Sequence, residues 1–194
     1  MTTQRWPTAW LMTDERMGER LWPAIDSAAD VGAGIIFRHH ATDPERRAEI
    51  GRHIADIAQR RGFVLGVAGD AVLARALGAR LVHNPRETTL GLPFSRSVHN
   101  EYEAAAAKAD GASLVFVSPV YPTRSHPGAA ALGEKGAARL AELAGVPAYA
   151  LGGVDPSRQY RLQKLGFAGW AGIDAWVQLA ERRSGSEKER PSRK

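Results

Sequence analysis

A regular alternation of short apolar runs with longer segments of helical periodicity is the feature that most restricts the fold of this chain. The apolar runs occupy positions 9–13, 34–38, 63–67, 81–83, 94–98, 113–117, 147–151 and 169–172. Nearly all of them are followed by a helix signal, which predicts an α/β protein with a parallel sheet. Eight such units specifically predict a compact, closed (β/α)8 TIM barrel.

Cap and stop residues place several of the helices. Asp43-Pro44 predicts the start of a helix that ends at Gly62, and Asp155-Pro156 predicts another start. Aspartate caps a first turn through its side chain, and proline suits the first helical position. The last helix is predicted over about 174–182. The stretch after His83 carries little helix signal, so the fourth unit is predicted to be degenerate or to lack its helix.

An open, doubly wound sheet is the alternative fold. The chain has 194 residues, which is short for a (β/α)8 barrel, since such barrels usually have about 250 residues. The doubly wound fold, however, usually carries a glycine-rich turn after its first strand. Residues 12–16 contain no glycine, which favours the barrel.

Composition excludes several classes of protein. Hydrophobic residues make up 44% of the chain and charged residues 24%, which is typical of a globular protein. The chain contains no cysteine, so a disulfide scaffold, a thiolate zinc site and a cysteine nucleophile are excluded. No run reaches the roughly 20 apolar residues of a membrane helix, and residues 1–10 lack the apolar stretch of a signal peptide. We therefore expect a cytoplasmic protein with no membrane partner.

The net charge of +5 is concentrated at the C-terminus, where residues 181–194 carry six basic and three acidic side chains. Such a tail either anchors a polyanion or is a solvated terminus. It contains no aromatic residue for base stacking, so we predict no nucleic-acid partner. The predicted organisation is an N-terminal extension (1–8), a barrel (9–182) and a basic flexible tail (183–194).

Polar residues collect where the predicted strands end, which is the catalytic face of a (β/α)8 barrel. His39, His40, His83, His99 and His126 all fall in these positions. The loops after strands seven and eight contain Gly152-Gly153 and Gly172. Phosphate commonly binds between these two loops in such barrels. Bare glycine amides next to a helix start can approach an oxyanion closely, so a phosphate site is predicted there.

An ordered series of motifs resembles the thiamine phosphate synthase and TenI family over about residues 9–176. The motifs are Leu11-Met12-Thr13-Asp14, Phe37-Arg38-His39-His40, 74–79 with Val82-His83, Ser97-Val98-His99, Tyr121-Pro122-Thr123-Arg124-Ser125-His126-Pro127-Gly128, Leu132-Gly133, Val146-Pro147 and Leu151-Gly152-Gly153-Val154. The resemblance implies a (β/α)8 fold and a role in thiamine metabolism. In that family the synthases join a hydroxymethylpyrimidine diphosphate to a thiazole phosphate, and the TenI branch isomerises the thiazole phosphate.

The resemblance also implies a set of binding residues. Thr123, Ser125, Gly152 and Gly153 match the positions that hold the thiazole phosphate, and Arg38 matches the arginine after strand two. His40 and His126 stand where the family has lysines. The predicted substrate- and phosphate-binding set is Arg38, His40, Ser97, Thr123, Ser125, His126, Gly152, Gly153 and Gly172. The expected partner is a phosphorylated thiazole, and a homodimer is left open.

The departures from the family concern magnesium. The synthases bind magnesium and the diphosphate through Asn-Asp after strand three, where this chain has Ala68-Gly69 with Asp70 one residue late. In the family a further aspartate follows strand four. The only acidic residue at the corresponding positions of this chain, 84–90, is Glu87. Magnesium requires hard oxygen ligands in near-octahedral geometry. We therefore expect no metal and no cofactor, with magnesium needed only if the chain is a synthase.

His99 is the predicted catalytic residue, because the segment 96–99 resembles the TenI segment with the histidine implicated in tautomerisation. A histidine that titrates near neutrality can remove a proton and return it elsewhere. Thiazole tautomerisation without metal is therefore the first hypothesis. A divergent synthase that recruits Asp14, Asp70 or Glu87 to magnesium is the second, and a catalytically weak binding or regulatory protein is the third. Zinc at His39-His40 is disfavoured, because adjacent strand residues point to opposite sides.

Overall fold

The computed structural model describes residues 5–123, 128 and 130–188 and forms a closed barrel of eight parallel strands. The predicted fold is confirmed. Each strand pairs with its sequence neighbours, and β1 closes the barrel against β8 through the pairs Ala9–Trp170, Trp10–Ala171 and Leu11–Gly172. The strands are β1 (Ala9–Met12), β2 (Gly34–Phe37), β3 (Leu65–Ala68), β4 (Leu81–His83), β5 (Phe94–Val98), β6 (Leu114–Val117), β7 (Ala148–Ala150) and β8 (Gly169–Gly172).

Seven α-helices flank the strands in this part of the chain. They are α1 (Leu21–Asp30), α2 (Pro44–Arg61), α3 (Ala71–Ala76), α4 (Glu101–Ala109), α5 (Gly133–Ala144), α6 (Gln159–Lys164) and α7 (Asp174–Lys188). Asp43 caps α2 through Glu45 N and Arg46 N, and Gly62 ends the helix in the left-handed conformation, as the sequence predicts. Two 3₁₀ helices, Glu15–Arg20 and Pro156–Arg158, precede α1 and α6.

The fourth unit has no helix. Residues 84–93, all of which the structure describes, form turns and irregular backbone between β4 and β5. The predicted degenerate unit is therefore confirmed. The last helix differs from its predicted end, because α7 continues six residues past Arg182 to Lys188.

Two layers of apolar side chains hold the barrel together. The interior is filled by Trp10, Met12, Ile36, Val64, Ala68, Leu81, Leu114, Phe116, Tyr149 and Ala171. Trp10 fits there because its neighbour on β2 is Gly34, where a Cβ atom would lie 2.4 Å from the indole. A second, larger layer lies between strands and helices. The wide interior side chains fill the space that eight strands enclose.

The N-terminal strand and the C-terminal helix are joined by a buried hydrogen bond. Trp176 Nε1 of α7 donates to Trp10 O of β1 at 2.9 Å, and the ring of Trp176 stacks on Trp170 with centroids 5.0 Å apart. Helix α7 thereby covers the seam where the barrel closes. Among the described residues no helix combines the length and the apolar character needed to cross a bilayer.

Candidate functional site

A cavity of about 720 Å³ opens at the C-terminal ends of the strands. Residues that follow β1, β2, β5, β6, β7 and β8 line it, so it draws on six of the eight units. Its polar side chains include Asp14, Arg16, Arg38, His99, Ser118, Thr123, Asp155, Asp174 and Gln178. The position agrees with the face on which barrels of this type carry their chemistry.

Six of the predicted site residues line this cavity. They are Arg38, His99, Thr123, Gly152, Gly153 and Gly172. Ser125 and His126, which were also predicted, lie outside the described residues. Ser97 and His40 belong to other groups of side chains, described below. The structure thus brings the predicted arginine, histidine and glycine residues together around one space.

The Gly-Gly turn after β7 is shaped by close backbone packing. Gly152 has φ +88°, and a Cβ atom there would lie 2.8 Å from Pro119 Cα. Gly153 has φ +63°, and a Cβ atom would lie 2.6 Å from Pro122 O. Left-handed backbone and these approaches both require glycine. The turn therefore holds the start of the loop after β6, which carries Pro122 and Thr123 to the cavity.

An arginine pair with one aspartate forms the charged wall beside β1 and β2. Asp14 accepts a bidentate pair of hydrogen bonds from Arg16, from Nε to Oδ1 at 2.7 Å and from Nη2 to Oδ2 at 3.0 Å. Arg38 Nη2 lies 3.9 Å from Oδ2 of the same carboxylate. The hydrogen bond from Arg16 is the main cause that holds the pKa of Asp14 below its usual value, against the effect of burial. Asp14 is therefore ionised at neutral pH and orients both guanidinium groups.

Arg16 was not singled out from the sequence. It lies four residues beyond the end of β1, inside the 3₁₀ helix that Asp14 caps. An Asp-x-Arg spacing after a strand was the available signal, because a capping aspartate lies near the side chain two residues on.

His99 lines the cavity at the end of β5, and Glu103 of α4 holds it. Its ring Nδ1 lies 2.7 Å from Glu103 Oε2, and its backbone amide donates to the same oxygen at 2.8 Å. Asn100 caps α4 by accepting from Glu103 N at 2.9 Å and donates to Glu103 Oε1 at 3.0 Å. Burial alone would raise the pKa of Glu103, but the bonds from His99 and Asn100 lower it. An ionised Glu103 accepts from Nδ1–H, which leaves Nε2 of His99 for a ligand.

Ser97 takes part in a network between β4 and β5 and is not among the residues that line the cavity. Its hydroxyl accepts from Asn84 Nδ2 at 3.0 Å, and its amide donates to Asn84 Oδ1 at 2.8 Å. Asn84 Nδ2 also lies 3.3 Å from His83 Nε2. Since that amide nitrogen can only donate, His83 Nε2 accepts and its Nδ1–H donates to Ser95 Oγ at 3.0 Å.

The imidazole of His83 is buried. Burial, assisted by the charge of Arg38, lowers its pKa to about 3. His83 is therefore neutral at physiological pH, and the network fixes the ends of β4 and β5. His39 is also buried, with Nδ1 3.1 Å from Thr13 Oγ1.

His40 lines a second, smaller cleft of about 390 Å³ between the loops after β2, β3 and β4. This cleft also contains Arg47, Gly69, Asp70, Arg86 and Glu87 and shares no lining residue with the large cavity. Burial lowers the pKa of His40, and the charges of Arg38, Arg47 and Arg86 lower it further.

The acidic residues of this cleft do not fit a magnesium site. Asp70 caps α3 by accepting from Leu73 N at 2.8 Å, and its other oxygen lies 3.3 Å from Arg47 Nη1. The side chain of Arg86 lies against Gly69, where a Cβ atom would be 3.4 Å from the guanidinium Nε. Within the described part of the chain, no three His, Asp or Glu side chains are grouped as metal ligands. A cationic side chain here competes with a metal ion for the same space.

Comparison with known proteins agrees with this architecture. The family model described as thiamine monophosphate synthase matches residues 9–176. A putative thiamine-phosphate synthase 2 of Aquifex aeolicus is 34% identical over 183 residues, which is 89% of this chain and 98% of that protein. A thiamine-phosphate synthase of Lactococcus lactis is 28% identical over 77% of this chain and 80% of its own. The solved thiamine phosphate pyrophosphorylase of Pyrococcus furiosus superposes with a TM-score of 0.75 at 21% identity, covering 93% of this chain and 96% of that one.

Proposed function

The chain belongs to the thiamine monophosphate synthase/TenI family of thiamine biosynthesis, and from this premise we propose that it binds a thiazole phosphate and moves a proton on it without a metal ion. His99 is the acid and base in this proposal. The large cavity is the binding site, and a cytoplasmic location belongs to the same proposal. The observation that carries it is the pairing of His99 with Glu103 at the wall of that cavity.

The pairing suits a proton transfer between two atoms of one ligand. Glu103 holds Nδ1, so Nε2 of His99 takes a proton from the thiazole and the ring becomes an imidazolium. The carboxylate of Glu103 stabilises that charge and keeps the ring in one orientation. The same Nε2 then returns the proton to a different atom of the ligand. The proton count is unchanged over the cycle, and no co-reactant is needed.

The phosphate group is assigned to the arginine, threonine and glycine residues of the same cavity. They are Arg38, Thr123, Gly152, Gly153 and Gly172. Arginine binds phosphate with a planar fork of donors, and a turn of two glycines allows close approach of the backbone. Arg38 is partly enclosed, with 29% of its side chain exposed. Its charge is therefore less screened than that of a surface arginine.

A magnesium-dependent synthase is the second candidate, because the relatives from Aquifex aeolicus and Lactococcus lactis are named putative thiamine-phosphate synthase 2 and thiamine-phosphate synthase. The two candidates differ in their need for carboxylate ligands. Asp70 is held by Arg47 and by the first turn of α3, which supports the metal-free reaction. A protein that binds the phosphate without turnover is the third outcome.

The test measures turnover of the thiazole phosphate in excess EDTA by NMR. His99→Asn is expected to reduce the rate by about 10² or more, the usual scale for general acid–base catalysis, with unchanged ligand affinity. His53→Gln, which removes an exposed imidazole on α2, is the control and should retain the wild-type rate. Wild-type turnover in His99→Asn would overturn the assignment.

A parallel reaction contains pyrimidine diphosphate and magnesium. Thiamine phosphate formed only in this mixture would identify a synthase instead. Ligand binding without product in either mixture would identify the binding protein.

A further inference from the structure

We propose that a cleft between α2 and α3 binds a small molecule with an anionic head group and an apolar body, through Arg52 and Arg80. The cleft has a volume of about 600 Å³. It shares no lining residue with the large cavity or with the smaller cleft that contains His40. The head group is a carboxylate or a phosphoryl group, and the proposal does not depend on the reaction assigned to His99.

The cleft exists because α2 is much longer than the helix that follows it. Helix α2 has 18 residues, whereas α3 has 6. Leu77, just after α3, packs closely against α2 at Gly51, where a Cβ atom would lie 2.7 Å from Leu77 Cδ1. Beyond Gly51, α2 continues to Arg61. The cleft lies beside this second half of α2, and the turn from α3 into β4 forms its other wall.

The position of the cleft separates it from the catalytic face. It is lined by Leu65, the first residue of β3, and by Arg80, which directly precedes β4. These residues mark the N-terminal ends of the two strands, whereas the large cavity opens at the C-terminal ends. A molecule in the cleft therefore makes no contact with a ligand of the large cavity.

The floor of the cleft is apolar. Phe63, Leu65 and Leu77 line it and belong to the buried core, and Ala55 and Ala58 of α2 lie beside them. Small-molecule sites usually have volumes of about 300–1,000 Å³, with mostly apolar walls and a few polar groups. The cleft has this form. Burial of an apolar body on the floor contributes favourably to binding, so an anion without such a body is expected to bind weakly.

The charges of α2 single out one arginine. Four of the five arginines of α2 form an ion pair with a carboxylate, namely Arg46, Arg47, Arg60 and Arg61. The fifth, Arg52, forms no ion pair within the described part of the chain, and neither does Arg80. Asp56 is the only carboxylate among the described residues that line the cleft, and Arg60 holds it at 2.7 Å. The cleft therefore carries two positive charges that no carboxylate of the protein balances.

The two arginines come from the two walls of the cleft. Arg52 lies on α2, and Arg80 is placed by its backbone amide, which donates to Leu65 O at 2.8 Å. An anionic head group between the walls meets guanidinium donors from both sides. Arginine suits this role, because its planar fork of donors matches both carboxylate and phosphoryl oxygens.

The experiment follows the backbone amide signal of Gly78, which lines the cleft, in ¹H–¹⁵N NMR spectra of the full chain. Hexanoate, hexyl phosphate, hexan-1-ol, hexylammonium and acetate are titrated separately. Hexanoate and hexyl phosphate are expected to bind, and the tighter of the two identifies the head group. The alcohol, the ammonium ion and acetate are each expected to bind at least about tenfold more weakly, because they lack the charge, its sign or the apolar body. Reading the signal at Gly78 separates this cleft from anions bound in the large cavity.

Arg52→Gln and Arg80→Gln are each expected to weaken the binding of the preferred anion about tenfold, the scale of a lost hydrogen bond to a charged group. Both side chains are exposed, so both variants should keep the fold. Arg46→Gln is the matched control, because it removes an arginine from the same helix outside the cleft, and it should bind like the wild type. An unchanged affinity in either variant, hexan-1-ol or acetate binding as tightly as hexanoate, or no shift of Gly78 with either six-carbon anion would overturn the proposal.

Discussion

One oxygen of the Glu103 carboxylate, Oε2, accepts from both the backbone amide and the ring Nδ1 of His99. The ring is therefore oriented by the same carboxylate that fastens the end of β5 to the first turn of α4.

Glu103→Gln should lower the rate of proton transfer about tenfold, the lower end of losses seen when a group that orients a histidine is changed. Glutamine can still accept from both donors, so the ring keeps its place while the negative charge is lost. The effect should appear in kcat with little change in KM. Glu101→Gln, which changes an exposed glutamate two residues earlier on α4, is the control. Equal rates in the two variants would show that the charge of Glu103 has no part in the reaction.

Gly152→Ala should reduce the free energy of unfolding by about 1–3 kcal/mol. The new methyl group meets Pro119 Cα, and the backbone is held at φ +88°. Gly166 has the same φ with open space around it, so Gly166→Ala measures the backbone effect alone. Urea unfolding of both variants gives the difference. If Gly166→Ala proves as destabilising as Gly152→Ala, the close packing at Pro119 contributes nothing.

Folding stability should fall as the pH drops below about 6.5 because of His83. Its pKa is lowered to about 3 in the fold by burial, whereas an unfolded histidine titrates near 6.5. Above that pH both states are neutral. Below it the unfolded chain takes up a proton that the folded protein excludes, so stability is lost progressively towards pH 3. One such group changes the free energy of unfolding by up to about 1.4 kcal/mol per pH unit.

Urea unfolding between pH 7.5 and pH 5 measures that slope. His83→Gln should make the slope shallower, because one of the groups whose pKa is lowered in the fold is removed. Part of the slope should remain, because burial also lowers the pKa of His40. His53→Gln, which removes an exposed histidine, should leave the slope as in the wild type. An unchanged slope in His83→Gln would assign the pH dependence to other groups.

Tyr121→Phe should weaken binding in the large cavity about threefold, part of the value of a hydrogen bond to a charged acceptor. The hydroxyl of Tyr121 donates to Glu134 Oε1 at 2.7 Å, and Arg161 Nε lies 2.6 Å from the same oxygen. This bond fastens the loop that carries Thr123. Calorimetry with the thiazole phosphate measures the change. Tyr160→Phe alters an exposed tyrosine on α6, and a similar loss there would rule out a specific effect of the Tyr121 hydroxyl.

The sequence predicted the barrel because each strand is a short apolar run whose neighbours carry caps and stops. Asp43, Gly62 and Asn100 act locally, so their roles can be recognised without the fold. The missing fourth helix was predictable for the same reason, since residues 84–93 contain no helical period. The sequence also predicted that Arg38, Thr123 and Gly152 share a site, because the ends of all barrel strands meet at one face.

Side-chain partnerships across the barrel could not be predicted in the same way. Ser97 binds Asn84, which is 13 residues away and follows the end of the neighbouring strand, and the pairing depends on register. His40 and Arg86 meet over Gly69 because three loops converge there. Glu103 is one of two acidic residues in an alanine-rich helix, and its contact with His99 follows from the geometry of the first turn. These contacts arise from tertiary placement, which local patterns do not encode.

The connection between β4 and β5 has no helix to cover the two strands, whose residues are all described. Two pairs, Val82–Phe94 and His83–Ser95, join the strands; β7 and β8 are also joined by two pairs, but α6 lies between them in the chain. Local opening begins where apolar cover is thinnest. The amide of Asn84, which donates to Ser95 O at 2.8 Å, should therefore exchange its hydrogen with solvent sooner than the amide of Val115, which donates to Pro147 O at 2.9 Å beneath α5. The barrel would thus open locally between β4 and β5, and the hydrogen-bond network of His83 lies at the C-terminal ends of these two strands.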